Sequence, residues 1–359
     1  MEFSCNTKII MGPGTVEQLY QLNSKRLFLV SDPFFAKNGT AQRMITISKA
    51  ENAMVYDQVK PDPTVQQVAE GTAALREFAP DTVVALGGGS AMDCAKAMVY
   101  FSGLCVSFVA IPTTSGSGSE VTDFSILTHS GIKHPLIDEK LRPQLAILDS
   151  DLLMELPPKL IADTGFDVLS HALEGYVASG SNPITDALAE KAFSLAMQFL
   201  ERSYAEDKSV RQQMHIASTM AGMAFTQAGL GLCHAMAHAM GGLYHVPHGR
   251  LNAILLPVVV GVNAASAGEK YAAIARLAGL GAAADTVAVR NLKNALIRLR
   301  KQLGLPATLV QAGVDPNLLK STVLNVVNAT LADPCCKTNP VPVDKNLIQK
   351  VLEEVTQSG

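Results

Sequence analysis

The sequence predicts two domains, an α/β domain built on a parallel sheet at residues 1–157 and an all-helical domain at residues 158–359. Short β-rich runs alternate with helical patterns in the first part. The second part consists of long segments rich in Ala, Met and Leu, without strand-like alternation. The proline pair Pro157-Pro158 marks the change, and a chain of 359 residues is too long for one ordinary core.

The predicted elements of the first part are short apolar runs with a helical pattern between them. Strands are predicted at 26–30, 82–86, 106–111 and 146–148, and a helix at 64–78, where apolar residues recur at helical spacing. Strands that alternate with helices form parallel sheets covered on both faces. In the second part, helices are predicted at 185–201, 211–228 and 269–280, with a short small-residue connection at 281–285.

Composition indicates a protein with much buried surface. Hydrophobic residues make up 48% of the chain and charged residues 17%, below the usual share of about a quarter in soluble domains. We therefore expect a homodimer or a larger homo-oligomer, with a compact monomer as the alternative. The net charge of -3 gives no electrostatic reason to expect binding to nucleic acid or to a membrane.

Cysteine usage and hydropathy favour a cytoplasmic location. The six cysteines form no CxxC pair and no disulfide-like spacing, which is typical of a reducing compartment. The N-terminal residues lack the basic and apolar segments of a secretory signal. The most apolar stretch, residues 251–262, is too short to span a bilayer.

A glycine-rich turn joins the strand at 82–86 to a helical segment. Gly87-Gly88-Gly89-Ser90 would let backbone N–H groups approach a pyrophosphate at a helix N-terminus, although the turn is not the GxGxxG fingerprint. The alternative is a tight turn that binds nothing. A second loop with small and hydroxyl residues, 111–120, follows the next strand, and two such loops at the ends of parallel strands predict nucleotide binding.

Asp32 follows the strand at 26–30, and its carboxylate bears on the choice of nucleotide. A carboxylate at this end of a sheet accepts hydrogen bonds from a ribose 2′-hydroxyl and repels a 2′-phosphate, which would favour NAD over NADP. Taken alone, capping of the turn before Pro33 is the better interpretation of this residue.

Histidines and one aspartate at helical spacing predict a metal site. Asp167 and His171 are four residues apart, as are His234 and His238, so each pair shares one helix face; His248 follows nearby. A single helical histidine is more often a core or surface residue, but two such pairs in apolar surroundings weaken that interpretation. Carboxylate and imidazole donors suit a divalent first-row metal such as Fe²⁺ or Zn²⁺.

Five stretches together resemble the iron-containing (group III) alcohol dehydrogenases, and the likeness covers nearly the whole chain. They are residues 87–96, 112–120, 165–174, 234–238 and 247–249, with less distinctive matches at 61–64 and 337–340. Within the family, the chain is similar to the propanol dehydrogenases of propanediol-degrading bacteria. Asp62 stands where the family often has Asn, and Asp163 where a small residue is common.

The resemblance implies a dinucleotide-binding domain, a helical metal-binding and catalytic domain, and a cleft between them. It implies that Asp167, His171, His234 and His248 bind Fe²⁺, with Zn²⁺ or another divalent metal as alternatives, and that His238 lies near the nicotinamide and moves a proton. It matches Asp32, Gly89, Ser90, Thr113, Ser117 and Lys133 to positions that contact the dinucleotide, and Gly88, Asp93 and Thr114 complete the predicted NAD-binding set.

The activity that the resemblance implies is hydride transfer between NAD(H) and a small primary alcohol or its aldehyde, with the substrate oxygen on the metal. Oxidation of a polyol such as glycerol or a diol is the alternative within the superfamily. A lyase similar to dehydroquinate synthase would need several basic residues, which the ligand-bearing segments lack. A non-catalytic nucleotide-binding protein would not need the complete ligand set.

Overall fold

The computed structural model describes residues 3–129 and 132–356, and contacts divide this chain into two compact units. The first unit comprises Ser4–Leu156, and the second comprises residues 157–356 together with Phe3. The strands, in chain order, are β1 (Lys8–Met11), β2 (Arg26–Ser31), β3 (Asn52–Tyr56), β4 (Thr82–Gly87), β5 (Ser107–Pro112), β6 (Phe124–His129), β7 (Ile132–Ile137) and β8 (Leu145–Leu148).

Six strands form the parallel sheet of the first unit, in the order β1-β8-β5-β4-β2-β3. The predicted strands lie in the interior of this sheet, which confirms the predicted fold class. The two edge strands, β1 and β3, were not predicted. Residues 52–54 of β3 are exposed, so the strand lacks the continuous apolar run of a buried strand. Strands β6 and β7, which form a separate antiparallel pair, were not predicted either.

Helices cover both faces of the sheet. They are α1 (Pro33–Lys37), α2 (Thr40–Ser48), α3 (Val65–Phe78) and α4 (Gly89–Ser102). On strand β2, Phe28 belongs to the apolar cluster that includes α3 and α4, whereas Leu27 and Leu29 belong to the cluster that includes α2. Since successive side chains of a strand point to opposite faces, this division shows that both faces are buried.

The second unit is helical, and no strand occurs in residues 157–356. Its helices are α5 (Pro158–Val177), α6 (Pro183–Tyr204), α7 (Arg211–Ala228), α8 (Leu232–Tyr244), α9 (His248–Leu277), α10 (Asp285–Gln302), α11 (Pro316–Ala332) and α12 (Lys345–Thr356). Helix α5 is buried on almost every side from Ile161 to Val177 and packs against α6, α7 and α9. A helix that is buried all round lies at the centre of its domain.

Helix α9 differs from the prediction, which placed a helix only at 269–280. It is continuous from His248 to Leu277, apart from a kink at Ala267, and it includes Pro257. By length and composition, α9 is long and apolar enough to cross a membrane, but 61% of its most apolar window is buried within the protein. A buried core helix has the same composition, so this is weak evidence for a membrane span.

Candidate metal centre and nucleotide loops

Three helices bring the four predicted metal ligands together. Helix α5 carries Asp167 and His171, α8 carries His234, and α9 begins at His248. The Oδ1 atom of Asp167 lies 3.9, 3.7 and 3.5 Å from the Nε2 atoms of His171, His234 and His248, respectively. The three histidines, predicted together with Asp167 from spacing and resemblance, therefore converge on its carboxylate.

The donor atoms fit a divalent cation. The donor atoms of Asp167, His234 and His248 all lie within 4.8 Å of one another. A single ion placed between them would therefore be within about 2.8 Å of all three. Shifts of several tenths of an ångström would bring them to metal–ligand distances. His171 is outside this set of three, and its ring stacks on that of His234 with 4.5 Å between centroids. One carboxylate with several imidazoles is a donor set suited to iron or zinc.

Electrostatics at the centre favour an ionised carboxylate. Burial alone would raise the pKa of Asp167, but the imidazoles of His171, His248 and His234 hold it well below its usual range. The cluster therefore presents a negative oxygen among imidazole nitrogens.

Asn252, which the sequence analysis did not select, also contacts the donor cluster. Its fully buried amide donates through Nδ2 to Oδ1 of Asp167 at 2.8 Å, and Nδ2 lies 3.2 Å from Nε2 of His248 and 3.4 Å from Nε2 of His234. Asn252 lies one helical turn after His248. A polar residue inside the apolar run 251–260 was the available signal, because a buried amide needs hydrogen-bond partners.

Glu174 orients His234 by contacting the ring nitrogen that faces away from Asp167. Its buried carboxylate accepts the backbone N–H groups of Cys233 at 2.7 Å and His234 at 3.2 Å, and Oε2 lies 2.5 Å from Nδ1 of His234. Desolvation would lower the pKa of His234, but Asp167 and Glu174 raise it to about 9. A carboxylate on the second ring nitrogen fixes the tautomer and orientation of a metal-binding histidine. Glu174 falls in a matching motif, but spacing alone did not indicate this role.

The segment at 337–340 holds the start of α8. Thr338 donates through Oγ1 to the carbonyl of Leu230, and Oδ1 of Asn339 accepts the N–H of Leu232 at 3.0 Å. A Cβ atom at Gly231 would lie 2.6 Å from Oδ1 of Asn339 and 2.8 Å from Oε1 of Glu174. A side chain at this position would therefore displace Asn339 and Glu174, both of which accept hydrogen bonds from the start of the helix that carries His234.

His238 pairs with an aspartate that the sequence analysis did not select. Its Nδ1 atom lies 2.8 Å from Oδ2 of Asp333, and its ring stacks beside that of His248 with 5.2 Å between centroids. Asp333 also accepts the N–H of Cys335 at 2.9 Å. Burial raises the pKa of the Cys335 thiol well above its usual range. His238 is thus half-buried, oriented by a carboxylate and adjacent to the donor cluster.

Asp163, one of the two departures from the family pattern, forms an ion pair. Arg250 donates to its two carboxylate oxygens at 3.1 and 2.6 Å. Asp163 lies one turn before Asp167, and Arg250 lies two residues after His248. The pair therefore joins two of the helices that carry the predicted ligands.

In the first unit, the glycine turn connects β4 to α4 as predicted. Gly87 has a φ of 150°, and Gly88 precedes the first turn of α4 without a side-chain cap. A Cβ at Gly88 would lie 3.2 Å from Oγ1 of Thr114, and one at Gly89 would lie 3.3 Å from Cβ of Ser117. The two loops therefore lie side by side, and the glycines keep the approach to the helix N-terminus open. Such a cradle fits a phosphate group.

The remaining residues predicted at this site take part in local hydrogen bonds and ion pairs. Asp93 accepts from Ser119 at 3.0 Å, and desolvation raises its pKa to about 6. Lys133 lies 2.6 Å from Asp62, and Asp62 has a positive φ of 56°. Ser90 accepts the N–H of Asp62 at 3.4 Å, and Thr113 donates its N–H to the carbonyl of Gly87 at 2.9 Å.

Asp32 caps helix α1, which was the better interpretation of this residue taken alone. Oδ1 accepts the N–H groups of Phe34 at 2.8 Å and Phe35 at 3.4 Å. The other oxygen, Oδ2, faces the glycine turn, since a Cβ at Gly87 would lie 3.7 Å from it. The same carboxylate therefore combines capping with a position beside the turn.

Family models match both units of the chain. The model described as iron-containing alcohol dehydrogenase matches residues 6–150, and the model described as Fe-containing alcohol dehydrogenase family, C-terminal, matches residues 161–356. The 1-propanol dehydrogenase PduQ of Citrobacter freundii is 40% identical over 98% of this chain and 99% of its own. The NADPH-dependent butanol dehydrogenase of Clostridium saccharobutylicum is 38% identical over 98% and 97%, respectively.

Solved structures match over the same length. A 1,3-propanediol oxidoreductase superposes with a TM-score of 0.91 at 31% identity, covering 99% of this chain and all of its own. The sulfoacetaldehyde reductase of Bifidobacterium kashiwanohense, solved in complex with NAD⁺, superposes with a TM-score of 0.89 at 27% identity and covers 100% of this chain and 99% of its own.

Proposed function

This chain belongs to the iron-containing alcohol dehydrogenase family, and on that basis we propose which residues bind the metal, which bind the dinucleotide and which transfers the proton. The chain is an oxidoreductase that interconverts a small primary alcohol and its aldehyde by hydride transfer with NAD(H), and it uses a divalent metal. The convergence of Asp167, His234 and His248 on one point, with His238 beside it, carries the assignment of roles.

Asp167, His171, His234 and His248 hold the metal. Iron is the metal proposed, because the matching family is described by it, although the donor set also suits zinc. A divalent ion bound there supplies Lewis acidity, which lowers the pKa of an alcohol oxygen and polarises a carbonyl. Glu174 and Asn252 are positioning residues, since each hydrogen-bonds a donor side chain.

His238 is the catalytic residue that moves the hydroxyl proton. With Nδ1–H donated to Asp333, the Nε2 atom remains as the proton acceptor when the alcohol is oxidised, and it returns the proton when the aldehyde is reduced. A neutral imidazole can accept a proton at one nitrogen and, once protonated, can donate it back, so it suits both directions. Asp333 is a positioning residue, because it acts on the substrate only through His238.

The two loops of the first unit hold the dinucleotide. Gly88, Gly89 and Ser90 lie at the N-terminus of α4, where backbone N–H groups and the helix dipole favour a pyrophosphate. The hydroxyl-bearing loop supplies Thr113, Thr114 and Ser117. Asp93, Lys133 and Asp32 complete the set, with Asp32 directed at the ribose. The close packing of the two loops supports this assignment.

Propanol and propanal are the proposed substrates, because the relative at 40% identity is a 1-propanol dehydrogenase. A diol is the second candidate, favoured by the match to a 1,3-propanediol oxidoreductase. The cysteine spacing supports a cytoplasmic location, and the small share of charged residues supports a homo-oligomer.

An assay of the metal-loaded protein tests the function. Nicotinamide absorbance is followed with primary alcohols, diols, glycerol and short aldehydes, each with NAD(H) and with NADP(H). We expect turnover of propanol and propanal with NAD(H) at a higher kcat/KM than turnover of any diol. Absence of turnover with every primary alcohol and short aldehyde would contradict the assignment of roles. A higher kcat/KM for a diol would favour the second candidate.

A further inference from the structure

Beside the predicted iron site, three side chains form a second cluster of metal donors. Within the described residues, the donor atoms of His238, Asp333 and Cys335 all lie within 4.8 Å of one another. Some point is therefore within about 2.8 Å of each, and small shifts would bring them to zinc–ligand distances. An imidazole, a carboxylate and a thiol are a donor set typical of zinc.

The cluster is already ordered around one carboxylate. Oδ2 of Asp333 contacts Nδ1 of His238 at 2.8 Å, and Oδ1 accepts the N–H of Cys335 at 2.9 Å. Asp333 caps the short 3-10 turn Pro334–Thr338, which places the carboxylate and the thiol two residues apart on one turn. The neighbouring Cys336 is directed elsewhere, since its Sγ lies 3.0 Å from the carbonyl of Thr330.

Charge balance allows a second cation near the first. Asp333 and a Cys335 thiolate together carry two negative charges, so a bound divalent ion leaves the cluster with no net charge. This matters because the His238 ring is only 5.2 Å from that of His248, and an uncompensated cation would be repelled by an ion in the first site.

We propose that His238, Asp333 and Cys335 form a second cation site, which takes up a thiophilic divalent ion such as Zn²⁺ or Cd²⁺ and inhibits the enzyme when occupied. The ion binds the sulfur of Cys335 and Nδ1 of His238; the thiol proton passes to solvent, and the Nδ1 proton moves to Nε2 of the same ring. Thiolate ligands select soft cations, so Mg²⁺ and Fe²⁺ compete poorly for this position. Inhibition follows because the ion removes His238 from proton transfer, and this part alone rests on the proposed function.

The test is a titration of the iron-loaded enzyme with Cd²⁺, read by the ultraviolet charge-transfer absorption between thiolate and cadmium. The predicted iron site contains no cysteine, so exchange of cadmium into it does not contribute to the signal. We expect a saturable signal of one ion per chain in the natural protein and in Cys336→Ser, and its loss in Cys335→Ser and Cys335→Ala. A signal that survives in both Cys335 variants, or no saturable signal in the natural protein, would overturn the site.

Inhibition is measured in parallel, with each variant normalised to its own rate without cadmium. At saturating cadmium we expect the natural protein and Cys336→Ser to lose at least about nine-tenths of their rate and to regain it on addition of a chelator. The Cys335 variants should keep their rate at the same cadmium concentration. Melting curves of all variants check folding. A cysteine-dependent signal without inhibition would refute the inhibitory role and the part of His238 in proton transfer, while the cation site itself would stand.

Discussion

The ammonium nitrogen of Lys133 lies 2.6 Å from Oδ1 of Asp62, so the lysine predicted to contact the dinucleotide is bound to a carboxylate. Asp62 is also one of the two departures from the family pattern, and its positive φ is a conformation that asparagine tolerates well. The departure therefore changes the charge available to the cofactor without requiring a change in the backbone.

Replacing Asp62 with asparagine should strengthen cofactor binding. Asp62→Asn releases Lys133 from its ion pair, and we expect the KM for NAD to fall by up to about fivefold, the range of a partly exposed pair. Steady-state kinetics at saturating alcohol provide the measurement. The exposed Asp151→Asn is the control and should not change KM. A raised KM would indicate that Asp62 itself contacts the dinucleotide.

Asp32 gives a prediction on cofactor choice. Asp32→Gly removes the carboxylate that faces the glycine turn, and we expect the ratio of kcat/KM for NADP to that for NAD to rise by about tenfold or more, because like charges repel at close range. Glycine is an acceptable N-cap, so helix α1 should persist. Asp32→Ser keeps a capping oxygen and removes the charge. An unchanged ratio in both variants would exclude a ribose role for Asp32.

His248 should be essential for metal retention. In His248→Ala we expect metal affinity to fall by more than about a hundredfold, since even an outer partner of a ligand is worth 10–100-fold. Activity should be lost in parallel. Elemental analysis after gel filtration measures the ion directly. His245→Asn is the control, because His245 is exposed and asparagine suits its φ of 55°. A full metal complement in His248→Ala would show that the ligand assignment is wrong.

Asn252 gives a smaller effect at the same centre. Asn252→Ala removes the hydrogen bond to Asp167, and we expect metal binding to weaken by about 10–100-fold while the four ligands remain. Competition with a chromogenic chelator measures the change. Asn291→Ala, which removes a hydrogen bond from Nδ2 to the carbonyl of Leu280, is the control and should leave metal affinity unchanged. Equal metal affinities in the two variants would show that Asn252 does not contribute to metal binding.

Gly231 tests the anchoring of helix α8. A Cβ at this position would collide with Asn339 and Glu174, so Gly231→Ala should lower the free energy of unfolding by about 1–3 kcal/mol and weaken metal binding through His234. Denaturant unfolding measures the first effect. Gly268→Ala is the matched control, since a Cβ there would meet no atom within 4 Å. Similar stabilities for both variants would show that the start of α8 tolerates a side chain.

The sequence predicted the parts of the centre that follow local rules. Asp167 and His171 share a helix face because they are four residues apart, and the motif containing His248 was recognisable. Glu174, Asn252 and Asp333 were not selected because their roles depend on distant partners. Asp333 meets His238 across 95 residues of sequence, and no periodicity indicates such a contact.

The same distinction applies to the fold. The interior strands are continuous apolar runs because both their faces are buried, and those runs were predicted. The edge strand β3 is largely exposed, so its pattern resembles a loop. The length of helix α9 was underestimated because Pro257 and Gly261 interrupt the apolar stretch at its start. In the structure both residues lie within the helix, and Pro257 is buried.

The placement of Asp167 and His248 on different helices has a consequence for how the helical unit unfolds. Roughly eighty residues separate these two donors, so a bound ion closes a long loop much as a disulfide would. While the ion stays attached to both donors, it lowers the conformational entropy of the unfolded chain. An ion that leaves on unfolding stabilises the protein instead through mass action, by an amount set by its free concentration. Unfolding temperatures of this protein are therefore comparable only at a stated metal concentration.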